Sequence, residues 1–301
     1  MNKELVKELR NLISGEIKFN ELLSKHTSFR IGGPADVWIC PENILNIKNT
    51  LMFCSSHNIP VTILGGGTNV LISDKGIRGI VLNLAHGLCS ISIKANRVIC
   101  GAGILLSKLL KQVSKAELTG LEFVAGIPGT VGGAVTMNAG METKNTTIGN
   151  LVESVKVIDM NGNVSELEKE DLRFEYRKSN LSGHIILEVK LKLKSGSKKE
   201  INDSISLFWE HKKSAQILDI PSAGCIFKNP DGHSAGRLID QAGLKELAIG
   251  DAQVSEKHAN FIVNNGNANA QDVLELIKKI KLTVFEKTGV KLEKEIKVIG
   301  I

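Results

Sequence analysis

Aromatic residues are scarce, 4% of 301 residues, and Tyr176 is the one tyrosine. That scarcity, with no basic run among aromatics, excludes a nucleic-acid-binding surface. The 38 basic and 32 acidic side chains are scattered and leave a formal charge of +6, which permits an anionic small-molecule substrate instead. No apolar run approaches the roughly 18 residues of a membrane helix. The opening residues, MNKELVKELRNLIS, read as a charged amphipathic helix without an apolar signal core, so neither membrane nor secretion is expected. The five cysteines, Cys40, Cys54, Cys89, Cys100 and Cys225, are odd in number and nowhere in C-x-x-C spacing. This argues against a disulfide framework and against a zinc site; no metal is expected, and a reducing cytoplasm suits the chain.

Glycine is what the sequence has in the place of these. With 42% hydrophobic and 23% charged residues, a soluble globular protein of two domains is expected. Residues 121–140, LEFVAGIPGTVGGAVTMNAG, carry Gly126, Gly129, Gly132, Gly133 and Gly140 and no charge after Glu122. Glycine is used where the chain takes positive φ or lets a ligand approach the main chain, and Pro128 fixes one corner. One glycine would signify an ordinary tight turn; five in an apolar run point to a ligand-contacting loop. Earlier, a strand over 61–64 runs into Gly65, Gly66, Gly67, Thr68 and Asn69. Successive N–H groups in such a loop can converge on an anion, a simple tight turn being the alternative. The spacing is neither G-x-G-x-x-G nor G-x-x-x-x-G-K-[ST], which excludes the Rossmann and P-loop readings.

Apolar periodicity predicts helices over 3–14, from Pro41 and Asn43 through Ile44, Ile47 and Leu51, and over 104–115, 202–214, 235–242 and 270–287. Strands are predicted over 35–40, 77–84, both sides of Asn96, 184–194 and 260–263, and over 155–160 and 164–167 as a hairpin around Asn161-Gly162. Residues 221–230 read as strand or turn. The terminal KLEKEIKVIG alternates, placing Leu292, Ile296 and Val298 on one side and Glu293, Glu295 and Lys297 on the other. A polar stretch near 195–205 is the best domain boundary.

The segments RIGGPAD at 30–36, GGGTNVL at 65–71, AGIPGTVGGAV at 125–135, EYRKS at 175–179, SAGCIFKNP at 222–230, KHANFIVN at 257–264 and LEKEIKVIG at 292–300 cover nearly the whole chain in order. Together they closely resemble the bacterial UDP-N-acetylenolpyruvoylglucosamine reductases, in the short form that lacks a tyrosine-bearing insertion. The resemblance implies an α+β protein. A two-lobed FAD-binding domain of the vanillyl-alcohol-oxidase (PCMH) type would occupy 1–200, with lobes of about 1–82 and 83–200. A smaller α+β substrate-binding domain would occupy 201–301, its last strand free to return to the first lobe.

The same resemblance implies a reaction and a set of roles. NADPH would reduce non-covalent FAD, and the enolpyruvyl ether of UDP-N-acetylglucosamine would then receive hydride at C3 and a proton at C2, giving UDP-N-acetylmuramate for peptidoglycan. A cytoplasmic monomer is expected. Gly65, Gly66, Gly67, Thr68 and Asn69 match the loop at the FAD diphosphate. Ala125, Gly126, Ile127, Gly129, Gly132, Gly133, Ala139 and Gly140 match the loop along the cofactor, with Arg30 and Ile185 as further contacts. Arg177, Cys225 and Glu295 match the three catalytic positions, and Lys228 and Asn229 the substrate-contacting stretch.

Hydride addition piles negative charge onto the substrate carboxylate, and a guanidinium such as Arg177 can meet it bidentately; the ordinary alternative is a surface ion pair. Cys225 stands where many relatives have serine. Thiols as a class, with pKa near ~8.5, are still mostly protonated at neutral pH and are stronger acids than a hydroxyl. A buried cysteine acting as a small hydrophobe is the ordinary alternative. Glu293 shares a strand face with Glu295, and only the resemblance selects Glu295, which is expected to act protonated or through water. Lys228 suits a diphosphate as a point charge or is simply solvated, and His258 reads as a packing histidine. Gln216 is followed by Ile217 where relatives have proline. Another flavin oxidoreductase of alcohol-oxidase type, or a non-catalytic flavin or nucleotide-sugar-binding module, remains the competing reading.

Overall fold

The computed structural model describes residues 3–85, 87–141 and 146–300. It forms two compact units: Met1–Phe19, Val37–Gly66 and Gly79–Lys212 in the first, and Asn20–Asp36, Gly67–Arg78 and Lys213–Ile301 in the second. The helices are α1 (Lys3–Leu12), α2 (Ile44–Ser56), α3 (Leu106–Lys115), α4 (Val131–Thr136), α5 (Lys198–Ala215), α6 (Ala235–Gln241) and α7 (Ala270–Thr288). All but α4 lie where apolar periodicity puts them. Asn43 caps α2 by accepting from Asn46 N, and the predicted stripe of α3, Leu106, Leu109, Leu110 and Val113, is buried. Among the described residues no helix is long and apolar enough to cross a membrane.

The first unit carries two cores. One lies under a four-stranded sheet in the order Gly15–Leu22, Pro34–Pro41, Ile77–Asn83, Val61–Leu64, most of which belongs to this unit, and contains Val37, Ile39, Ile47, Leu51, Ile80 and Leu82. The other belongs to an antiparallel sheet in the order Val164–Glu168, Val152–Asp159, His184–Lys192, Arg97–Gly101, Ile91–Lys94, backed by α3 and α4 through Leu109, Val113, Val131 and Val135. The predicted hairpin forms between Val152–Asp159 and Val164–Glu168, but its turn lies one residue early. Gly162 alone takes positive φ there, at 85°, and its N–H returns to Asp159 O. The Asp159 carboxylate accepts from Asn161 N and Asn163 N, and these local bonds fix the turn around Met160 and Asn161.

In the second unit Ser222–Cys225, Phe261–Asn264, Ala252–Val254 and Ala248–Ile249 form an antiparallel sheet whose core holds Ile239, Val254, Val273 and Leu276 from the sheet, α6 and α7, together with Phe227 just beyond the first strand. Helix α7 starts at an Asn269–Asp272 capping box and at Asp74, whose carboxylate accepts from Ala270 N at 2.8 Å; it ends at Gly289, φ 72°. The terminal alternation is only partly a strand. Lys297–Ile299 pairs in parallel with Val70–Ile72, whereas the stretch before it makes a single bridge, Phe227 to Lys294. Leu292 and Ile296 are nevertheless buried, as the alternation requires.

Candidate active site

Gly65 and Gly66, which open the first glycine loop, meet the second loop within the first unit. A Cβ on Gly66 would stand 2.9 Å from Gly129 Cα, and one on Gly65 would stand 2.6 Å from Thr130 Oγ1, so side chains here would force the loops apart. The loop over 125–140 is not all loop. Val131–Thr136 is helical although its Val-Gly-Gly start has poor helix propensity, because tertiary bonds override it. Thr130 caps α4 by accepting from Gly133 N at 3.3 Å, while Val131 N and Gly132 N donate to Ile104 O and Ala102 O. Thr130 escaped the sequence reading, although a threonine just before the turn of α4 is an N-cap signal. At Gly126 the space a side chain would need is already filled. The Trp209 ring packs onto it, and Lys212 Nζ donates to its carbonyl, both from α5. Ala125 is buried, Ile127 packs against the core beneath, and Ala139 O and Gly140 bind the chain that follows through Ile148 and Thr147.

Arg177 sits at the tip of a two-residue hairpin between Phe174–Glu175 and Lys178–Ser179. Its φ is 54°, a left-handed value uncommon for a residue with a side chain, and its guanidinium lies 5.0 Å over the Tyr176 ring. Backbone in such regions persists only where its surroundings impose it, and it concentrates at functional sites. Ile185, on the strand His184–Lys192, is 2% exposed and part of the core.

Cys225 and Glu295 lie in the second unit, and the segments that carry them are bonded to each other. Glu295 N donates to Ile226 O at 2.8 Å and Lys228 N to Glu293 O at 2.9 Å. Cys225 pairs with Phe261 across a register shift, and Gly224, φ 77°, supplies the backbone turn that a side-chain-bearing residue there would resist. Buried Asn260 holds Phe227, two residues after Cys225, from both sides: its Oδ1 accepts from Phe227 N at 2.9 Å and its Nδ2 donates to Phe227 O at 2.7 Å. The two glutamates that alternation placed on one face differ in exposure. The Glu293 side chain is 74% exposed and ion-pairs with Lys228 Nζ at 2.6 Å, whereas Glu295 is half-buried. Asn229 Oδ1 accepts from Ala235 N, tying the stretch after Lys228 to the start of α6.

The remaining candidates of the second unit are dispersed around one turn. Gly67 is buried against the His26 carbonyl, Asn69 Nδ2 reaches Glu295 O at 3.4 Å, and Asn69 O accepts from Lys297 N. Thr68 lies half-buried between them. Arg30, exposed and left-handed at φ 56°, lines an open cavity of about 470 Å³ with Ser24, Lys25 and Thr27. His258 packs on Phe261 with ring centroids 4.6 Å apart, its Nδ1 accepts from Asn260 N, and burial depresses its pKa. Burial pushes the Cys54 and Cys100 thiols up to about 12, so both stay as inert thiols at neutral pH.

Residues 35–168 match the FAD binding domain family, and residues 215–299 match the family of the UDP-N-acetylenolpyruvoylglucosamine reductase C-terminal domain. Among curated relatives, the UDP-N-acetylenolpyruvoylglucosamine reductase of Clostridioides difficile (strain 630) is 44% identical over 302 residues, 99% of either chain. That of Clostridium tetani is 42% identical over 294 residues, 97% of this chain and 95% of the relative. The crystal structure of UDP-N-acetylenolpyruvylglucosamine reductase from Thermus caldophilus superposes with a TM-score of 0.82 at 39% identity, covering 95% of this chain and 99% of that one.

Proposed function

The chain belongs to the UDP-N-acetylenolpyruvoylglucosamine reductase family, and from that membership we propose that Arg177, Cys225 and Glu295 carry its chemistry. In the same proposal 1–200 hold FAD and 201–301 take the nucleotide sugar. The protein is an FAD-dependent oxidoreductase. It reduces the enolpyruvyl ether of UDP-N-acetylglucosamine to UDP-N-acetylmuramate at the expense of NADPH, in peptidoglycan precursor synthesis. We assign this work to the cytoplasm.

The residues of the first unit fit the cofactor. The N–H groups of Gly65 and Gly66 find no hydrogen-bond partner among the described residues, and a Cβ on Gly133 would meet nothing nearer than Thr130 Oγ1 at 3.4 Å. Free N–H groups beside an open glycine face suit a diphosphate and the chain of atoms attached to it. When bound, FAD accepts electrons from NADPH and supplies hydride to C3. Arg177 holds the substrate carboxylate and stabilises the charge that accumulates there. Cys225 releases its proton to C2, and Glu295 orders and resupplies that proton. The observation that supports pairing Cys225 with Glu295 is the ladder joining 226–228 to 293–295, which brings their segments side by side from distant parts of the sequence.

Denaturing the purified holoenzyme is expected to release all of its flavin into the filtrate. Flavin that stays with the chain would instead favour an alcohol-oxidase type with a covalent tether.

A further inference from the structure

The end of α4 grips the hairpin that carries Arg177. Asn138, 4% exposed and left-handed at φ 43°, uses both ends of its amide: Nδ2 donates to Glu175 O at 2.9 Å, and Oδ1 accepts from Gly149 N at 3.0 Å. On the other strand of the hairpin, Ser179 Oγ donates to Thr136 O at 2.9 Å. Tyr176, Arg177 and Lys178 are all that lie between these two ties. The fit is closed, since a Cβ on Gly149 would come 2.5 Å from Phe174 Cγ and 2.7 Å from Asn138 Oδ1. Asparagine is one of the few residues that tolerates left-handed backbone while offering both a donor and an acceptor; glycine tolerates it and offers neither.

We propose that Asn138 is a positioning residue for Arg177. Its amide, helped by Ser179, locks the 174–179 hairpin to the chain leaving the second glycine loop, so the loop that meets the cofactor and the arginine that meets the substrate form one rigid piece. The inference rests on the role given to Arg177 above. It also explains why a buried asparagine occupies a position where the backbone would be satisfied by glycine.

The test compares Asn138→Gly, Ser179→Ala, Arg177→Lys and the double variant Asn138→Gly/Arg177→Lys as holoenzymes. Rapid mixing follows flavin reduction by NADPH and reoxidation by the enolpyruvyl ether separately. Asn138→Gly is expected to keep reduction within about twofold and to slow reoxidation by about tenfold or more, as a small misplacement of a reacting group does. Ser179→Ala should show the same split more mildly, and it carries the test if Asn138→Gly does not fold. Amide hydrogen exchange across 174–179 should rise in both. Because Asn138 acts through Arg177, the double variant should reoxidise no more slowly than Arg177→Lys alone. Multiplied losses in the double variant, or equal slowing of both half-reactions, would overturn the proposal. So would unchanged reoxidation in the single Asn138 or Ser179 variant beside slow Arg177→Lys. Wild-type reoxidation in Arg177→Lys would instead remove the role of Arg177, and this inference with it.

Discussion

Cys225→Ala is expected to leave flavin reduction by NADPH within about twofold of wild type while slowing reoxidation by the enolpyruvyl ether about 10²- to 10⁴-fold, the range over which general acids contribute. NADPH oxidation needs no proton at C2, so the first half-reaction has nothing to lose. The second loses the donor proposed for it. The Cys225 position is set by backbone, through the Phe261 pairing, the left-handed Gly224 and the double hold of Asn260 on Phe227, so truncating the thiol leaves its frame standing. Cys225→Ser restores an O–H on that frame and should stay within about tenfold of wild type, the hydroxyl being the weaker acid. Rapid-mixing absorbance traces of the two half-reactions decide the matter. Equal losses in both would mean that Cys225 supports the fold or the cofactor and donates no proton.

Arg177→Lys should lower the reoxidation rate about 10²- to 10³-fold, the usual cost of removing a donor aimed at developing charge. Lysine keeps the charge and the Cβ, so it meets the same left-handed backbone cost at φ 54° and leaves the hairpin as it is. What it lacks is the planar fork that can meet a carboxylate with two parallel bonds, and the flat face that rests over Tyr176. A charge without that geometry follows the carboxylate loosely. The measurement is the single-turnover reoxidation rate at saturating ether; near-native turnover would remove the bidentate role.

Glycine made the two close-packed loops legible in the sequence, because few backbone arrangements use five glycines in an apolar run. The reason for each was less legible. Gly66 and Gly129 let two loops touch, and Gly126 admits Trp209, contacts that bring together residues far apart in the chain and that no local pattern records. Helix α4 was hidden for a similar reason, since bonds to Ala102 and Ile104 hold a Val-Gly-Gly segment that propensity alone would leave as loop. Strand alternation placed Leu292 and Ile296 correctly in the core, yet it placed Glu293 and Glu295 alike. They differ because the stretch is not a regular strand and makes one bridge at Lys294, leaving Glu293 exposed beside Lys228 and Glu295 half-buried. Asn138 and Asn260 stood inside segments noted for other reasons, and nothing local marks an asparagine as holding two backbone partners until its burial and contacts are known.

One anaerobic cycle of the purified holoenzyme, followed by its visible spectrum, bears on all of this at once. The expected result is flavin absorbance that NADPH bleaches and that the enolpyruvyl ether of UDP-N-acetylglucosamine restores in proportion to the amount added, with UDP-N-acetylmuramate formed in equal quantity. Absorbance that NADPH leaves untouched, or that returns only when oxygen is admitted, would contradict it.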